Sequence, residues 1–335
     1  MNTKDIAGLS NLGPLHLKRL LQVGRTATFV VAASDAPASV RSQADYVCGG
    51  TADNVQIQAA IDGLPVINGW KRGTIQLSEG TFDIRALLLS SVDYYDITFK
   101  GAGKFSTWVV WNTGVAGDFI FDATTTGTQS HLVRFDNLSL QGGTIASKVG
   151  KAVKILATAG NVCRVSFNSV LVTFCADPAI SDSKGQLTQY FDCDFNNNAG
   201  FDLSVSANSH NRYFGSTFEK VKFDLACIKS YGTGFKHIEV VKGYNQAIEI
   251  NGGYFDPTSA GYTSAIKIGT SDYVSSMIIT GCDFREVVDG GYYIDVQKAN
   301  NLIIRNNHWG TPGGAGLPTT FINLAATAVN TIIDE

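Results

Sequence analysis

A short strand pattern recurs along this chain at intervals of about 22–25 residues, and few folds accommodate such a repeat. Phe191-Asp192-Cys193-Asp194-Phe195 returns in form 23 residues later as Phe214-Gly215-Ser216-Thr217-Phe218, and Phe201-Asp202-Leu203 returns 22 later as Phe223-Asp224-Leu225. Ile238-Glu239-Val240 follows Ser216-Thr217-Phe218 by 22, and Ile248-Glu249-Ile250 follows the Leu225 segment by about 23. The segments beginning at Ile278 and Ile303 are 25 apart, and Ile266, Ile294 and Ile322 each open a segment 28 after the last. Upstream, Phe167 precedes Phe191 by 24 and Phe135 precedes Phe167 by 32, the longer step implying an inserted loop. Between Val240 and Phe255 the period breaks. The repeat unit is strand, turn, strand, with no 3.6-residue period between. That predicts a single-stranded all-β solenoid, each coil pairing with the coils above and below. A β-sandwich of short strands is the competing architecture.

Composition narrows the function classes. Only 16% of residues are charged, Gly is abundant at 35, and the net charge is −3. This suits a turn-rich β protein rather than a disordered one. No basic cluster tracks phosphates, so nucleic acid is not an expected partner. No stretch approaches the ~20 apolar residues of a membrane span, and residues 1–20 lack the apolar core of an export signal. Six cysteines, Cys48, Cys163, Cys175, Cys193, Cys227 and Cys282, show neither CxxC nor metal spacing and read as reduced thiols, Cys193 and Cys282 inside strands.

Residues 1–34 differ from the rest and are read as an N-terminal extension, a possible attachment segment. Pro14–Leu21 has the pattern of a short helix with Leu17, Leu20 and Leu21 on one face. Residues 35–110 are read as a cap with the first coils, and 111–335 as the body. Within the cap, Asp53 is placed to begin a helix running to Leu64, with Ile57, Ile61 and Leu64 on one stripe.

Gly50-Thr51-Ala52-Asp53-Asn54, Ile57 to Asp62, Gly73 to Phe82 and Phe99-Lys100-Gly101-Ala102-Gly103 together resemble the opening segment of pectate-lyase-like proteins. The resemblance covers about residues 45–110 in detail and is architectural to residue 324. It implies a right-handed parallel β-helix with an N-terminal capping helix, the fold of many polysaccharide lyases, glycoside hydrolases and phage tailspikes. It also implies a homotrimer. The chain departs from the family where chemistry is concerned. The Asn-Thr-Asp, Asp-Asp, Gly-His-Gly and Arg-Ile-Lys motifs of polygalacturonase-like members are absent, as is the pectate-lyase signature. No family catalytic residue can be carried to a position here.

Candidate site residues therefore rest on strand geometry. A period of two places Phe191, Cys193 and Phe195 inward and Asp192 and Asp194 outward, roughly 6–7 Å apart. That separation falls between the retaining and inverting glycosidase spacings. Stacking by the repeat sets Asn168 on one side of Asp192, with Gly215 and then His237 on the other, and Glu239 in the column of Asp194. Asp192, Asp194, His237 and Glu239 are thus the candidate catalytic residues of one outer groove. Alternatively they are ordinary solvated positions. The same acidic face offers the oxygen ligands that Ca²⁺ takes, and no other cofactor is expected. Trp108, Trp111 and Trp309 are candidates for sugar stacking or for half-buried packing.

The leading functional expectation is a phage-type virion protein of the tailspike or receptor-binding kind. It would contact a cell-surface polysaccharide and join a larger assembly through residues 1–34. Such a chain is made in host cytoplasm and carried in the virion; otherwise it is extracellular. Two alternatives stand beside it, a free polysaccharide lyase or hydrolase and a structural shell protein without glycan contact.

Overall fold

The computed structural model describes residues 27–89, 94–112, 118–125, 131–157, 163–206, 209–243, 247–256, 263–285, 291–310 and 321–334. The leucine-faced helix expected at Pro14–Leu21 lies outside them. Among the described residues the chain is nearly all β, with two short helices, Ala38–Arg41 and Asn54–Asp62. No described helix is long and apolar enough to cross a membrane.

The strands form three parallel ladders, and the chain visits them in turn. The first ladder runs through Ala27–Ala32, Trp70–Leu77, Tyr94–Lys100 and the opening halves of His131–Gln141 and Cys163–Thr173, then Leu187–Phe191 and His210–Phe214. The second begins at Gly80–Ile84 and Thr107–Trp111, takes the closing halves of His131–Gln141 and Cys163–Thr173, and continues through Asp194–Asn196, Thr217, Gly234, Tyr254, Asp283 and His308. The third stacks Phe119–Thr125, Lys151–Ala157, Ile180–Ser183, Leu203–Ser206, Val221–Asp224 and Ile238–Val240, then Ser264–Ile268, Tyr292–Val296 and Ile322–Leu324. The long strand Cys227–Lys242 belongs to all three. An antiparallel exception joins Val66–Ile67 to Trp70 and Lys71.

One residue in the left-handed backbone region turns the chain from the first ladder into the second on successive rungs. These are Asn137, Ser169, Asp192, Gly215, Gly232, Gly252, Gly281 and Asn306, with φ between 49° and 63°. Glycine and asparagine tolerate that region best, which accounts for their recurrence in the repeat. The residue after the corner points inward, as Cys193 does, and the Ser216 Oγ of the next rung accepts from its N–H at 3.1 Å.

The corner corrects the inward face read for Phe191. The alternation is interrupted at Asp192, so Tyr190 is buried and aligns with Phe167 and Tyr213, while Phe191 faces outward. Several spacings shift with it. Val205, not Phe201, is the partner of Phe223, Phe218 is the partner of Phe235, and Ile248 pairs with Ile228. The steps of 28 at Ile266, Ile294 and Ile322 and of 25 at Ile278 and Ile303 hold as read.

Inside the second ladder, Phe195, Phe218, Phe235, Phe255, Phe284 and Trp309 stack ring on ring, with centroids 4.5, 5.6, 5.7, 4.7 and 4.7 Å apart. Each ring fills the hole left by its neighbours, so this core runs along the stack rather than forming a ball. At the other end the helix Asn54–Asp62 lays Ile57, Ala60 and Ile61 against the first rungs, where apolar interior would otherwise meet water. Asp53 stands at its N-cap position, but its buried carboxylate does not cap. It accepts from the N–H of Gly50 and of Asp83, each at 2.9 Å, and so ties the helix to the strand beneath.

Candidate functional site

The outer face of the second ladder carries a chemistry-bearing groove. Side chains on one face of a parallel ladder repeat every ~4.8 Å along the stack. Here one such row reads Asp194, Thr217, Gly234, Tyr254, Asp283 and His308. Asn196, Glu219, Lys236, Asp256 and Arg285 each lie two residues further along the same rungs. Asp194, Thr217, Glu219, Lys236, Tyr254 and Asp256 line a groove of about 280 Å³.

Ion pairs organise this face. Lys104, in the Gly101–Ser106 turn, reaches over the intervening rungs. Its Nζ donates to Asp194 Oδ2 and to the Asp192 carbonyl, both at 2.9 Å, and lies 3.6 Å from Asp192 Oδ2. Partial burial pulls the Lys104 ammonium pKa down, but the hydrogen bond and charge of Asp194, with Asp192 behind it, outweigh burial and leave it raised. Thr217 donates to Asp194 Oδ1 at 2.7 Å and Ser169 donates to Asp192 Oδ2 at 2.6 Å. Lys236 meets Glu219 at 2.7 Å. Arg285 meets Asp283 at 2.8 Å and its guanidinium covers the Tyr254 ring at 4.5 Å. His308 Nδ1 lies 3.0 Å from the other Asp283 oxygen. Hydrogen bonds from Arg285 and then His308 hold the Asp283 carboxyl below the usual carboxylate range.

The Tyr254 ring fits because position 234 is glycine. A Cβ there would lie 2.3 Å from the Tyr254 Cζ. The ring therefore lies flat across the backbone of the preceding rung. At the upstream end of the same ladder Trp108 is half-buried, its indole N–H held by the Phe105 carbonyl at 3.2 Å, and Phe105 is exposed. Trp111 and Trp309 pack inward instead.

Of the four residues expected to share a groove, the structure brings together two. Asp192 and Asp194 flank Lys104. The left-handed corner at Asp192 means that they are not alternate residues of one strand. With the ammonium already between them, neither is a free nucleophile beside a free acid, and a Ca²⁺ ion bridging them would have to displace Lys104. Among the described residues no cluster of three or more His, Cys, Asp or Glu is arranged to hold a metal.

His237 and Glu239 lie elsewhere, on the third ladder, opposite Lys220 and Lys222. The column of Asp192 continues through Gly215 to Gly232, and Ser169, not Asn168, stands beside it. His237 is buried and its Nδ1–H donates to the Ser264 carbonyl at 2.8 Å, while burial pushes its pKa down against that bond. Glu239 accepts from Thr270 at 3.2 Å. The sequence reading missed Lys104, Glu219, Lys236, Tyr254, Asp283 and Arg285. The signal for most of them was the position flanking each inward aromatic: Tyr254 and Asp256 around Phe255, Asp283 and Arg285 around Phe284.

The first ladder offers a different surface. Arg134 and Arg164 line a depression of about 210 Å³ with Leu132, Leu187 and Gln189. Next to it Phe191, Phe214 and Tyr231 stack outward, with centroids 4.7 and 5.5 Å apart. Their faces are spent on one another, so they present edges rather than a flat platform.

No family model matches the sequence, and no curated protein matches it. Solved structures do. The chain of ORF18 of Geobacillus virus E2 is similar with a TM-score of 0.57 at 14% identity, over all of this chain and 64% of that one. An alginate lyase from Paenibacillus sp. str. FPU-7 is similar with a TM-score of 0.54 at 14% identity, over 89% of this chain and 99% of that one. This chain thus spans less than two thirds of the viral chain's length. At such identity the likeness is one of fold: the same stacked arrangement of strands underlies a viral protein and a polysaccharide lyase.

Proposed function

We propose that this protein is a right-handed parallel β-helix of virion type that binds a cell-surface polysaccharide along the outer groove of its second ladder. Right-handedness follows from the general rule for parallel crossovers. The observation that carries the reading is the groove itself. It is lined by four successive rungs, from Asp194 to Asp256, carries hydrogen-bonding side chains along them, and holds the Tyr254 ring between Gly234 and the Arg285 guanidinium. Such a surface suits a linear hydroxylated polymer better than a compact ligand. The fold shared with the viral ORF18 chain supports the virion part of the reading. A homotrimer attached to a larger particle through residues 1–34 belongs to the same proposal.

Binding without cleavage is favoured because the carboxylates beside Lys104, Lys236 and Arg285 are each held by a cation. One observation favours a second, enzymatic reading: Asp283 fixes the Nδ1 side of an exposed His308, the arrangement that orients an imidazole for proton transfer. The test is retention of the purified full chain on host surface polysaccharide, with product analysis of the same incubation. Retention that is lost in Tyr254→Ala without shortening of the polymer supports the binding reading. Shortening that disappears in His308→Ala would replace it with the enzymatic one.

A further inference from the structure

The charge arrangement of the groove bears on which polysaccharides it accepts. In and beside the groove, five carboxylates, Asp192, Asp194, Glu219, Asp256 and Asp283, face three cations, Lys104, Lys236 and Arg285, a formal net of two negative charges without counting His308. Each cation is committed within the groove, at 2.9, 2.7 and 2.8 Å from its carboxylate. A uronate or sulfate group entering here would meet surplus negative charge, and every cation it approached would already stand beside a carboxylate.

Hydroxyl groups fare differently. The Asp256 Oδ1 is buried without a hydrogen-bond partner among the described residues and lacks a donor. Paired ammonium and carboxylate groups still offer further donor and acceptor positions to sugar hydroxyls. At the same rung the Tyr254 ring lies between the Gly234 backbone and the Arg285 guanidinium, so it presents its edge to a ligand. Resting on the reading that this groove binds glycan, we infer that its ligand is an uncharged polysaccharide and not a polyuronate. The fold is shared with an alginate lyase, yet the arginine-lined depression of Arg134 and Arg164 sits on the first ladder rather than in this groove, and Arg134 is there paired with Asp96 at 3.0 Å.

The experiment compares the full chain on immobilised neutral polymers (dextran, mannan, β-glucan, galactan) and on alginate and polygalacturonate, at low and high salt. The expected result is retention on a neutral polymer at least about tenfold stronger than on either polyuronate. It should change little with salt, because no ion pair forms with the ligand, and be lost in Tyr254→Ala. Asp256→Asn, which removes one surplus charge, should raise polyuronate retention while the fold is kept. Preference for a polyuronate that Tyr254→Ala abolishes would overturn the inference and leave the binding reading standing. Polyuronate binding lost instead in Arg164→Ala would move the site to the first ladder and overturn both. Retention on no polymer of either set would overturn the binding reading and the inference with it.

Discussion

Lys104 Nζ and Asp194 Oδ2 lie 2.9 Å apart although 90 residues separate them in sequence. The pair fastens the turn at Gly101–Ser106 onto strands several rungs away. The Lys104 side chain is only 14% exposed and Asp194 is 37% exposed, so the bond is partly shielded from solvent. Lys104→Met is expected to cost about 1 kcal/mol, within the range of half-exposed pairs. Urea unfolding of Lys104→Met, Asp194→Asn and the double variant gives the coupling directly. Strict additivity would mean that the pair contributes nothing.

The contact between Gly234 and Tyr254 gives a sharper test. Gly234→Ala places a methyl group where the tyrosine ring lies. The expected cost is about 1–3 kcal/mol, with glycan retention weakened as the ring is lifted. Combining it with Tyr254→Ala should restore most of the stability and none of the binding. Equal destabilisation in the single and double variants would show that the ring is not the obstacle.

Asp202 sets a pH dependence. Its carboxyl is wholly buried, and burial pushes its pKa up to about 7 against hydrogen bonds from the Asn198 side chain and the N–H groups of Lys220 and Glu219. The unfolded value is near ~3.9. Between these values the folded chain holds the proton that the unfolded chain has released. Its contribution is therefore most favourable below pH ~4, falls as pH rises toward 7, and levels off above. The slope is bounded at about 1.4 kcal/mol per pH unit. Asp202→Asn should flatten the curve of urea midpoint against pH over that window. An unchanged slope would remove Asp202 as its source.

Thiol labelling reads the interior. Burial pushes Cys48, Cys175, Cys193 and Cys282 up to about 12, and Cys163 higher still, whereas Cys227 is half-buried. Iodoacetamide on the native chain should modify Cys227 first, with the other five reacting only on unfolding. Mass spectrometry of the labelled peptides checks the order. Early modification of Cys193 or Cys282 would mean that the corner column opens in the native state.

Much of the fold was legible because its repeat writes the same inward aromatics at successive rungs, as at Phe218 and Phe284. The placement of the site was less so. The period of two was carried through Asp192, where a left-handed corner resets it, and this turned Phe191 inward on paper and outward in fact. His237 and Glu239 were aligned by a 22-residue step, whereas the strand Cys227–Lys242 runs through all three ladders without a loop. The true step from Lys222 to Glu239 is 17. Loop length, not strand pattern, sets such steps, and Lys104 had no local pattern pointing ninety residues ahead.

The left-handed corner also fixes how this molecule can change length. Each rung contributes one residue to every column and turns through its own corner. A whole rung can therefore be inserted or removed without altering the inward or outward sense of any other side chain. The groove behaves as a scale with graduations ~4.8 Å apart, and its reach along a polymer is adjustable only in whole graduations.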